Sequence, residues 1–342
     1  MTAMHIAAPR PDTWLRTTRA GLYCEPGGFY IDPVAPVQRA VVTHGHGDHA
    51  RPGNAAVLAT PETIAIMRHR YGAEAGGSLQ ALGYGEVLSL GEVRLRFAPA
   101  GHVLGSAQVI IDYHDSRVVI SGDYKRRSDP TCAGFEPQHC DVFVTEATFA
   151  LPVFRHPPDN HEIEKLLHSL RLFPERCHLI GVYALGKCQR VIALLRAAGY
   201  DEPIYLHGAL LGLTDLYREC GIELGPVRHA TGVPPDALRG RLVLAPPGAL
   251  GDRWTRRLPD PVAALASGWM RVKQRAKARG IKLPLVISDH ADWDELTATL
   301  DDVGAPEIWV THGREEALLH YAQTRGFAAR ALQLTGFGDE EE

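Results

Sequence analysis

The chain has 342 residues, 45% of them hydrophobic and 22% charged, with a net charge of -4. This composition suits a globular protein of one large or two moderate domains, and it excludes a disordered chain or one coated in nucleic acid while leaving room for a local basic face. No apolar run approaches the ~18 residues of a membrane helix. Met1 to Arg10 lacks the apolar centre of a signal peptide, and the six cysteines form no C-x-x-C pair; small buried thiols in a reducing cytoplasm are expected.

In chain order, short strands are expected at Gly21-Leu22-Tyr23, Gly28 to Asp32 and Ala40 to Thr43. The spacing predicts a helix over 61–71, with Thr60 as N-cap and Pro61 at its first position. Strands follow at 93–98, 108–113, 117–120 and 141–145. Pro152, Pro157 and Pro158 mark a linker. Helices are then expected at 161–173, 186–198 and 208–220, and strands at 177–182, 203–206 and 241–245. That alternation fits an α/β unit with a parallel sheet. A loop over 246–261 and a basic helical stretch over 271–279 lead to a strand at 284–288. Helix 292–303, strand 307–311 and helix 315–325 complete the chain, with a frayed tail at 338–342.

One stretch concentrates ligand chemistry. Val42-Thr43-His44-Gly45-His46-Gly47-Asp48-His49 puts three imidazoles and one carboxylate within six residues, at the exit of an apolar strand. Imidazole and carboxylate together suit zinc or manganese. Three other strand exits offer partners: His102 after Ala98-Pro99-Ala100-Gly101, Asp123 after Val118 to Gly122, and His312 after Ile308 to Thr311. His44, His46 and His102 would hold one ion, and Asp48, His49 and His312 a second, with Asp123 between them. Two ions about 3.5–4 Å apart activate a water and stabilise both oxygens of an in-line displacement at phosphorus. Asp32 ends a strand and would accept a ring N–H from a ligand histidine.

This pattern resembles the metallo-β-lactamase fold, whose signature H-x-H-x-D-H matches His44, His46, Asp48 and His49. It further resembles the β-CASP nucleases. Val144-Thr145-Glu146-Ala147-Thr148-Phe149 looks like their acidic motif A, Ile287-Ser288-Asp289-His290-Ala291-Asp292 like motif B, and Thr311-His312-Gly313 like motif C. Within that group the compact cap looks most like the bacterial ligase-associated DNA exonucleases. The resemblance implies an αββα sandwich over 1–155 and 285–337, with an inserted α/β cap over 156–284. It implies two divalent ions, zinc or manganese. Catalytic roles fall to Asp48, Asp123, His290 as general acid and Glu146 as its partner. The substrate implied is DNA, as single strands or duplex ends, with a DNA ligase or other repair proteins as partners and no membrane; an RNase of the RNase J or mRNA 3′-processing type is the alternative. Asp289 stands where relatives carry a small residue, and would either stabilise protonated His290 or cap the helix that follows.

Polymer binding would need cations near the centre. Val182-Tyr183-Ala184-Leu185-Gly186-Lys187-Cys188-Gln189 resembles a cap motif, and Lys187 at a helix N-terminus would suit a phosphate. Lys125, Tyr183 and Ser106 are the other candidate substrate contacts. Lys125-Arg126-Arg127 would line the mouth of the site. Arg253, Arg256 and Arg257 with Trp254, and the six cations from Arg271 to Lys282, would extend a basic groove or simply be solvated.

Overall fold

The structure, a computed structural model, describes residues 9–334. The readings of the 338–342 tail and of most of the N-terminal ten residues lie outside the described residues. Among the described residues no helix is long and apolar enough to cross a membrane. The chain packs as two compact units. The first runs from the first described residue to Arg127, takes in Ala133–Leu151, and resumes at Trp293; the second comprises Ser128–Cys132 and Pro152–Asp292. Residues 285–292 therefore pack with the second unit.

In the first unit, six strands form one sheet in the order Leu15–Thr18, Gly21–Cys24, Phe29–Ile31, Arg39–Val41, Ala56–Ala59, Ser78–Ala81. Seven form another in the order Ala328–Ala331, Glu307–Gly313, Val142–Ala147, Ser116–Ile120, Ala107–Tyr113, Val93–Pro99, Leu88–Leu90. The period of two along each strand decides what meets what. Val41 and Leu58 face the second sheet, in one core with Phe97, Val109, Ile120, Val144 and Trp309. Their neighbours Ala40, Val42, Val57 and Ala59 turn the other way, onto Ile64 and Met67 of the helix Pro61–Tyr71. Phe29, Phe97 and Trp309 are at most 1% exposed, each contributing about 1.5–3 kcal/mol by burial. The Pro61–Tyr71 helix starts as its sequence dictates: the Thr60 side chain accepts from Thr63 N, with Pro61 first in the helix. Helix Glu315–Thr324 lies along the strands Glu307–Gly313 and Ala328–Ala331, and helix Trp293–Val303 packs beside it. This is the αββα sandwich of a metallo-β-lactamase fold.

The second unit is built on a six-stranded parallel sheet in the order Val227–His229, Ile204–Leu206, Leu242–Ala245, His178–Gly181, Val262–Ala266, Leu283–Leu285. Helices Asp159–Leu172, Lys187–Ala197 and Gly208–Glu219 connect or cover it. Two of its strands, Val227–His229 and Val262–Ala266, are not legible in the sequence. The second reads Val-Ala-Ala-Leu-Ala, which lacks the β-branched run of a strand; burial between two neighbours makes it one. The strand expected over 284–288 ends at Leu285, and the chain leaves the ladder before Ser288.

Candidate metal centre

The parallel strands of the first unit end on one side, and the candidate ligands follow those ends, as ligand-binding groups do in open α/β sheets. Asp32 follows Phe29–Ile31, His44 to His49 follow Arg39–Val41, Asp123 follows Ser116–Ile120, and His312 lies near the end of Glu307–Gly313. The helix Pro61–Tyr71 lies under the histidine loop. Arg70 Nη1 donates to Gly45 O at 2.7 Å, and a Cβ on Gly45 would stand 2.6 Å from an Ile66 methyl, so only glycine lets the loop pass this close. His102 is set by a second loop. Its N–H donates to Ser106 Oγ at 3.0 Å, and the neighbouring Gly105 carbonyl accepts from Thr60 Oγ1 at 2.6 Å.

Four ligand atoms converge. His46 Nδ1 stands 3.1 Å from His44 Nε2 and 2.9 Å from His102 Nε2. Asp123 Oδ2 is 3.4 Å from His44 Nε2 and 3.8 Å from His102 Nε2. Donors around a tetrahedral ion with bonds near 2.0–2.1 Å lie about 3.3 Å apart. The set fits a divalent metal.

The remaining ligand candidates meet the first set through Asp123. Its Oδ2 is 3.3 Å from His49 Nε2, which is also 3.6 Å from Asp48 Oδ2. The His312 ring lies 5.5 Å from that of His49. Asp32 anchors both histidine sets. Its carboxylate takes His49 Nδ1 at 2.7 Å, Thr43 N at 2.8 Å and Thr43 Oγ1 at 2.6 Å. Thr43 Oγ1 in turn lies 3.0 Å from His44 Nδ1. Both rings are thus fixed with Nδ1 engaged and Nε2 turned toward Asp123. Asp32 and His312 hold left-handed backbone, at φ 43° and 54°, a conformation that costs non-glycine residues energy and persists where the surroundings impose it.

The electrostatics divide the two histidines. Burial, helped by the adjacent His49, drives the His44 pKa well below its usual value. Burial opposes charge on His49 too, but the Asp123, Asp32 and Asp48 carboxylates hold its pKa well above the usual range. Three carboxylates around it, of which Asp32 and Asp123 are buried, call for a cation.

The other candidates are held as follows. Glu146, 1% exposed, accepts from Tyr124 N at 2.7 Å and so pins the backbone next to Asp123. Ser106 serves His102 rather than a surface. Lys125 is fully buried, Arg126 pairs with Asp302 at 2.6 Å, and Arg127 with Glu295 at 3.0 Å; the basic run is tied to helix Trp293–Val303. In the second unit, His290 and Lys187 are 6% and 3% exposed and Tyr183 is half-buried. The helix N-terminus at Lys187 is not the open anion cradle its sequence suggests: Gly186 N donates to Gln189 Oε1, Lys187 N to Leu185 O and Cys188 N to Tyr183 O. Arg253, Arg256 and Arg257 are exposed, while Trp254 packs on the sheet's core cluster. Of the cations from Arg271 to Lys282, Arg275 lies 4.1 Å over the Trp269 ring and the other five are exposed. Sequence reading missed Thr43 and Arg70; a hydroxyl beside a ligand histidine was the available signal for the first, and none existed for the second.

A ββ sandwich with helices outside and a His–Asp cluster at its strand ends defines a metallo-β-lactamase-type domain. The sequence model of the metallo-β-lactamase superfamily matches residues 32–175, so this part of the chain is a metallo-β-lactamase domain. A protein from Opitutus terrae named a probable DNA ligase is 27% identical over 91% of this chain and 30% of its own length. A protein from Thermus thermophilus named a ribonuclease is 27% identical over 91% of this chain and 89% of its own length. A solved structure from Enterococcus faecalis, of a protein of unknown function, shares the fold at a TM-score of 0.51 and 15% identity, over 87% of this chain and 80% of that one. The chain spans less than a third of the Opitutus relative.

Proposed function

We propose that the protein is a metal-dependent nuclease that hydrolyses phosphodiester bonds of DNA, from an end, in repair. The observation that carries this reading is the placing of Asp123 Oδ2 between His44 and His49, 3.4 and 3.3 Å from their Nε2 atoms. One carboxylate oxygen shared by two histidine sets suits a pair of divalent ions, zinc or manganese. His44, His46 and His102 would hold one, and Asp48, His49 and His312 the other; bound there, a metal would supply a water of lowered pKa and neutralise charge on the phosphate. Asp32 keeps His49 in register directly and His44 through Thr43. Glu146 holds the Asp123–Tyr124 backbone. His290, in the motif-B stretch, donates a proton to the leaving oxygen; a histidine suits this because its pKa lies near working pH.

The Opitutus relative's name supports DNA and a place beside a ligase. The Thermus relative's name supports the second reading, an RNase. Product mapping on 5′- and 3′-labelled DNA and RNA strands, with zinc or manganese, separates them. Shortening of DNA from one end is the expected result. Cleavage of RNA alone moves the substrate to the second reading. Hydrolysis of a thioester or lactam with neither nucleic acid cut overturns the nuclease.

A further inference from the structure

Helix Lys187–Ala197 carries two cations one turn apart, Lys187 and Arg190. Both are buried, at 3% and 1% exposure. The Arg190 guanidinium reaches three carboxylates of the second unit: Asp159 at 2.5 Å, Asp289 Oδ1 at 3.2 Å and Asp129 at 3.5 Å. It also donates to the Ser288 carbonyl. Lys187 Nζ stands 2.9 Å from the other Asp289 oxygen. The Asp289 carboxylate is thus gripped on both oxygens, by two side chains of one helix face. The turn it belongs to is closed from within as well. Ser288 Oγ accepts from His290 N at 3.0 Å and donates to His290 O at 3.1 Å. Taking a guanidinium, an ammonium and three carboxylates out of water is expensive, and apolar residues would stabilise such a site as well or better. The arrangement does, however, over-determine the backbone of residues 288–290.

We propose that Lys187 and Arg190 are positioning residues for His290, acting through Asp289 and the Ser288 carbonyl. The proposal rests on the reading of His290 as general acid. It assigns Asp289 the work of holding the turn, and it gives Lys187 a partner in the protein in place of a phosphate. A proton donor must lie within hydrogen-bond reach of the leaving oxygen, and a small misplacement is costly in rate.

The near-isosteric Asp289→Asn variant tests this against two diesters. One is an end-labelled oligonucleotide, whose alkoxide leaving group needs a proton. The other is bis(p-nitrophenyl) phosphate, whose nitrophenolate leaves without one. The expected result is a fall in kcat of about tenfold or more on the oligonucleotide. KM, bound metal and the nitrophenyl rate should stay within about twofold of the parent. The His290 imidazole resonances of the metal-free protein should shift or broaden. Arg190→Lys, which keeps the charge and loses the forked donor, should repeat the pattern more weakly, and decides the matter if Asp289→Asn does not fold. Equal losses on both diesters, or a raised KM with kcat intact, overturn the positioning role. His290→Ala separates the two levels: retained cleavage there overturns the general acid, whereas loss there with Asp289→Asn unaffected overturns the positioning alone.

Discussion

The two units bury carboxylates in opposite ways. In the first, Asp32, Asp48 and Asp123 surround imidazoles, and the pKa of His49 is pulled up by all three. In the second, Asp129, Asp159 and Asp289 surround Arg190, with Lys187 on Asp289, and the guanidinium is held charged despite burial by those carboxylates. The second network carries its own permanent cations; the first is complete only with a cation from solution. The difference explains why histidine-rich strand ends suit a metal ion, whereas acidic surroundings that already hold a guanidinium do not.

Substitutions can break that contrast. Asp123→Ala removes the oxygen common to both histidine sets. It should cost a hundredfold or more in activity, roughly beyond what loss of an outer-shell partner does, and strip bound metal, read by elemental analysis of the purified protein. Arg190→Met leaves three buried carboxylates without their shared partner and should destabilise by about 3–5 kcal/mol, measured by denaturant unfolding; chelators should not change that loss, because this network uses no metal. Asp32→Asn keeps the shape and weakens the hold on His49 and Thr43. Metal affinity should fall by about 10- to 100-fold in a competition titration, with smaller effects on folding. The mildest change concerns His178, whose pKa burial lowers to about 4, helped by the nearby Arg176 charge. Above its ordinary value of 6.5 it is neutral in both folded and unfolded chains. As pH falls from 6.5 toward 4 only the unfolded chain takes up the proton, so stability falls over that window. Thermal unfolding of His178→Gln between pH 7 and 4 should show a flatter profile than the parent.

Much of the first unit was legible because its signals are local. Thr60 and Pro61 announce a helix start within two residues, and His44 to His49 place four ligand-type residues on one turn. What was not legible is made by distance. Lys125, Arg126 and Arg127 look like a basic mouth, but Lys125 is buried and helix Trp293–Val303, far along the chain, supplies Asp302 for Arg126 and Glu295 for Arg127. Lys187 looks like a phosphate contact until Asp289 arrives. Asp289 itself looked like a helix cap or a histidine partner, and the structure gives it Lys187 and Arg190. The Val262–Ala266 strand has no pattern of its own, since two buried neighbours in a parallel sheet set its conformation.

The strand Val142–Ala147 sits between Ser116–Ile120 and Glu307–Gly313. One neighbour is made just before it; the other leaves the ribosome about 160 residues later. At roughly 5–20 residues per second, synthesis leaves that strand's edge unpaired for about ten to thirty seconds. Throughout that time His312 is absent and the nascent chain presents an open, apolar sheet edge. The second unit, all of it made before Glu307 and all but Ser128–Cys132 made within the interval, can fold first as a parallel α/β body of its own. Aggregation during expression should therefore respond to translation speed between residues 152 and 306 more than to the stability of the finished protein.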